Sequence, residues 1–366
     1  MPKMRTASLL ALVLGCAFLN GCTQMLAKTF VNTQPEVAIR TKEYAEPLKI
    51  VDGHGEVYTP PPSSGGQSDL LQRFAPVIVQ GVEAPNDRAY AFDSDQLGQP
   101  ELIAQSDSTF SVSIDVNSPA VFASEEKTHV GKTELKQLVY VFWYPRHPVG
   151  MVEKGDIDGG VLRITLDAAD RPSIYEYVMA CGCWHGMFVS EHVEAWAQKE
   201  FEQREKGKKW FVERPVENED DWKVRDIVWD VSSAGRPVIF LAAGKHECLA
   251  IQTDKLVGNL AALSPKNYAL RDYAQLDTLH LRGGASKTQT ASMFNPDGLV
   301  WGGRRKGEEK MFAKLDHGGW PRRLDAMKIH WDQESWNKTN LLEQFMRLPG
   351  DMTHAQANSP VLKVKS

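Results

Sequence analysis

Leu138-Val139-Tyr140-Val141-Phe142-Trp143-Tyr144, closed by Pro145, is an unbroken run of aliphatic, β-branched and aromatic residues. No polar residue recurs in it at period two, so it reads as a strand covered on both faces at the centre of a sheet. Working outward, Phe110, Val112, Ile114 and Val116 alternate with Ser111, Ser113 and Asp115, the pattern of a strand with one wet face. Arg73 to Val79 predicts another strand, with Pro76 pointing to an edge or a bulge. Gly155 to Gly160 predicts a turn and Val161 to Leu166 the strand after it.

Two further stretches echo one another. Arg171 to His185 reads RPSIYEYVMACGCWH, and Arg236 to Cys248 reads RPVIFLAAGKHEC. Each follows a polar turn, opens Arg-Pro, runs through apolar residues and delivers Cys and His at its far end. They are expected to be neighbouring strands of one sheet, with Cys248 close to Cys181 or Cys183. So many strands without intervening helices predict a mainly β fold with a few helices. The expected architecture is an antiparallel β-sandwich core followed by a loop-rich, partly helical C-terminal region. One helix should start at Ser190 and end near Lys206-Gly207, with Glu191 and Glu194 at its positive end. Another should run from Ser335 to Leu348, capped by Asp332 and stopped by Pro349-Gly350.

At 366 residues, 42% hydrophobic and 24% charged, the chain has enough apolar material for a large core, which excludes wholesale disorder. Its net charge of −5 leaves no basic footprint for nucleic acid. The expected organisation is a signal segment over 1–21, a tether over 22–68 whose Pro60 to Gly66 composition suits a spacer, a β-sandwich over 69–253, and a C-terminal extension or subdomain over 254–366.

The N-terminus has parts of its own. Lys3 and Arg5 precede an apolar run, Ala7 to Leu19, that is too short to span a bilayer, and Leu19-Asn20-Gly21-Cys22 closes it. This resembles the lipobox of bacterial lipoproteins. The resemblance implies cleavage after Gly21, acylation of Cys22 with palmitate-type chains, and anchoring to a membrane. Thr23, where that family uses Asp for inner-membrane retention, implies the periplasmic face of the outer membrane. Partners would then be the membrane itself and an envelope protein or glycan.

Cys181, Cys183 and Cys248 are the cysteines left to the mature chain. In an oxidising compartment one disulfide is the simplest expectation. The alternative is a metal site, with zinc or copper suited to thiolate and imidazole donors from Cys181, Cys183, His185, His246 and Cys248. A Cys183 nucleophile with His185 or His246 as base, oriented by Glu247 or Asp158, is a third arrangement. Cys181-Gly-Cys183-Trp-His185 lacks the C-x-x-C-H spacing of haem attachment, and Arg282 to Thr288 has Ser286 where a phosphate loop needs glycine. Trp301, Trp320, Trp331 and Trp336 suit a core better than a sugar-stacking surface. The resulting expectation is a binding or structural domain, with a metal-dependent hydrolase as the alternative.

Asp69 to Val77, Phe142-Trp143-Tyr144-Pro145, Gly155-Asp156-Ile157-Asp158-Gly159 and Arg236 to His246 follow the motif order of a known superfamily. Residues 69–250 resemble the necrosis- and ethylene-inducing-like proteins and their vacuolar-sorting-type relatives. The resemblance implies a β-sandwich, a divalent metal site and cytolytic activity. Asp156, Asp158 and His246 match its polar positions, whereas Ile157, Gly160, Val161 and Leu162 stand where the other polar residues of its metal motif would be.

Overall fold

The apolar run 138–144 lies within β6 (Thr133–His147), and its side chains alternate between two separate cores. Leu138, Tyr140, Phe142 and Tyr144 face one core, while Val139, Val141 and Trp143 face the other. A computed structural model describes residues 55–62, 69–82, 94–106, 109–147, 155–182, 184–216, 222–231, 235–255, 260, 264–282, 289–303, 320–328 and 335–354. The expected signal segment 1–21, Cys22, Cys183, Trp331, Asp332 and 283–288 lie outside the described residues.

The protein is mainly β, with few helices and several sheets. The central sheet is a meander of β5 (Ala120–Val130), β6, β7 (Gly155–Leu166), β8 (Pro172–Met179) and β9 (His185–Ser190), each antiparallel to the next. Parallel strands extend it at both ends, β10 (Val224–Val228) beside β9 and β14 (Ala269–Asp272) beside β5. A five-stranded sheet shares the first core with it. Its order is β12 (Cys248–Thr253), β11 (Pro237–Leu241), β2 (Val77–Gly81), β1 (Gly55–Thr59) and β13 (Lys266–Asn267). The second core lies between the other face of the central sheet, helix α2 (Glu191–Phe201), α3 (Leu341–Phe345) and a four-stranded sheet. That sheet is β16 (Thr290–Ala291), β15 (Leu279–Arg282), β3 (Gln99–Ala104) and β4 (Phe110–Asp115).

Several expectations are corrected. Arg73 and Phe74 belong to a short helix, α1 (Leu70–Phe74), capped by Asp69, and Pro76 precedes a strand that is central in its sheet. Gly155 to Gly160 is strand, not turn, with Ile157 kinked into the left-handed region at φ 60°. Gly55–Thr59, within the stretch expected to be spacer, forms β1 because Tyr58 and Val57 are buried there. The last helix is confined to Leu341–Phe345 and preceded by Asn340. Sheet pairing is mixed: β1–β13, β2–β11, β3–β15, β5–β14 and β9–β10 are parallel. Strands from residues 266–282 join all three sheets, so the chain beyond 253 is stitched into the layers that precede it.

The two Arg-Pro strands are not neighbours. β8 belongs to the central sheet and β11 to the five-stranded one, so they face each other across the first core. An unbroken apolar run says that a strand is buried on both faces, but it does not say which buried strand it pairs with.

Candidate functional site

Three polar clusters are sealed among the layers, and each places a histidine against a carboxylate. The first sits where β7 and the turn after β11 meet. His246 Nδ1 is 2.9 Å from Asp158 Oδ2, and its Nε2 is 3.2 Å from Asp95 Oδ1. A carboxylate at each ring nitrogen is the setting that favours an imidazolium, which donates from both. Burial alone would lower its pKa, but the hydrogen bonds and charges of Asp158 and Asp95 outweigh burial and raise it. Tyr144 stacks on the same ring, centroids 3.9 Å apart and planes within 9°. The cluster is fastened from three sides: Gly244 N–H donates to Asp95 at 2.7 Å, Tyr177 Oη to the His246 carbonyl at 2.7 Å, and Tyr144 Oη to Gln80 at 2.7 Å. His246 itself sits at φ 56°, a conformation that such over-determination holds in place.

The second cluster lies on the opposite face of the central sheet. Arg163 (β7) grips Glu176 (β8) with two parallel bonds, Nε to Oε2 at 2.8 Å and Nη2 to Oε1 at 2.7 Å. Burial would raise the Glu176 pKa, but Arg163 and the nearby His185 bring it down to about 2. The guanidinium also lies 3.7 Å from the Trp336 ring centroid, and His185 packs edge-on to Trp222 and Trp336.

The third cluster has the residue types of a hydrolase triad. Ser173 Oγ is 3.2 Å and Ser190 Oγ 3.4 Å from His192 Nε2, with Asp167 Oδ2 3.7 Å away. All three approach the same nitrogen, so the ring cannot relay a proton from serine at one nitrogen while aspartate orients the other. Burial and the neighbouring Arg171 also push His192 down to about 3, too weak a base to activate a hydroxyl at neutral pH. Ser190 Oγ instead donates to the Ser173 carbonyl at 2.9 Å, which is why it makes no side-chain cap on α2.

The structure unites Asp158 with His246 and separates the other expected donors. His185 lies across the sheet from His246, and Asp156 is two residues before Asp158 on the kinked strand. Among the described residues no group of three His, Cys, Asp or Glu is arranged to hold a metal. Cys181 and Cys248 share the first core, but no disulfide joins them. Cys181 lies in the turn after β8 rather than on a strand, with Gly182 at φ 74°. Burial pushes the Cys248 thiol far up, which leaves it without nucleophilic thiolate. Trp336 is core, Trp301 packs edge-on against Phe110, and Trp320 is half-buried.

Asp95, Ser173 and His192 carry the clusters with no sequence signal. Asp95 meets His246 across 151 positions, and Ser173 meets His192 across 19. Comparison with family models, with curated proteins and with solved structures finds no match to this chain.

Proposed function

We propose that this is a lipid-anchored lipoprotein of the outer membrane whose β-rich domain serves as a periplasmic binding or structural module. The observation that carries the reading is Leu19-Asn20-Gly21-Cys22 behind a basic start and a short apolar run, with Thr23 next. The sealed clusters support a non-catalytic role, since a reacting group must reach its substrate and His246, Glu176 and His192 are all buried. Among the described residues no helix is long and apolar enough to cross a membrane, so attachment in this reading rests on acyl chains at Cys22.

The test is metabolic labelling with a palmitate analogue, followed by separation of inner and outer membranes. Label is expected on the wild type in the outer-membrane fraction and absent from Cys22→Ala. Label retained by Cys22→Ala, or wild-type protein in the soluble fraction, overturns the reading.

A further inference from the structure

We draw no further inference here: the strongest candidate, the outer face of the five-stranded sheet, where Val57, Val77, Val79, Val238 and Phe240 are buried yet belong to neither core, carries nothing because stretches adjoining β1, β2 and β12 lie outside the described residues and nothing in the structure shows what covers it.

Discussion

The imidazole of His246 lies flat on the phenol ring of Tyr144, 3.9 Å between centroids, while Asp158 and Asp95 hold its two nitrogens. His246 follows β11 in the five-stranded sheet, whereas Tyr144 and Asp158 belong to β6 and β7 of the central sheet. The contact therefore pins the two layers together. A cation that is paired, stacked and hydrogen-bonded in this way is stable where it sits, but its removal leaves two carboxylates buried without it.

Replacing His246 with Gln should cost about 3–5 kcal/mol in urea unfolding, because one buried charge pair is broken from one side. The pH dependence has a definite sign. The folded-state pKa of His246 is raised above its ordinary 6.5, so its stabilisation is complete below about that pH and is lost as pH rises through the higher folded value. Wild-type stability should fall over that alkaline window, and His246→Gln should lack this part of the fall. An unchanged alkaline slope in the variant would refute the imidazolium assignment.

Glu194 gives a second titration. Burial raises its carboxyl from 4.5 to about 7 against the opposing backbone donors Phe211 and Val212. The neutral form is therefore the one that folding favours, and its advantage is complete below pH 4.5 and gone above about 7. Glu194→Gln should match the wild type near pH 4.5 and become more stable than it as pH rises, by about 3 kcal/mol at most. Equal denaturation midpoints at pH 8 would exclude a raised carboxyl.

For the Arg163–Glu176 pair, Arg163→Met should cost about 3–5 kcal/mol by stranding a buried carboxylate, and the double variant with Glu176→Leu should recover most of it. Acid should weaken the wild type in the same place. The Glu176 pKa is lowered to about 2, so its contribution is full above 4.5 and is lost as pH falls toward 2. A double variant no better than Arg163→Met would mean that shape, and not charge, holds Trp336 on this sheet.

How much of this was legible in the chain depends on the range of the forces involved. The LVYVFWY run announces a doubly covered strand because an unbroken apolar run is a local signal, and the start of a helix after Ser190 is visible for the same reason, although that helix stops at Phe201 and not near Lys206-Gly207. Asp158 and His246 stand out as polar residues at the ends of apolar runs. Their partnership across 88 positions is set by how two sheets stack, which no short window encodes. Asp95 is invisible for the same reason. The Cys/His echo misled because similar strands can end up in different sheets: β8 and β11 share a pattern since both are buried, not since they pair.

Gly160 tests the stacking of those sheets most directly. A Cβ built on it would lie 2.3 Å from Tyr177 Oη and 2.7 Å from the Phe142 ring, both in the core between the layers. Gly160→Ala must push back Tyr177, whose hydroxyl donates to the His246 carbonyl, so the strain is passed to the His246 pin. The expected cost is about 1–3 kcal/mol in urea unfolding. Tyr177→Phe on top of Gly160→Ala should return part of it, since the hydroxyl is the nearest atom in the clash while the Phe142 contact remains. If Gly160→Ala is as stable as the wild type, the layers are not packed at this spacing and the His246 contact across them is not rigid.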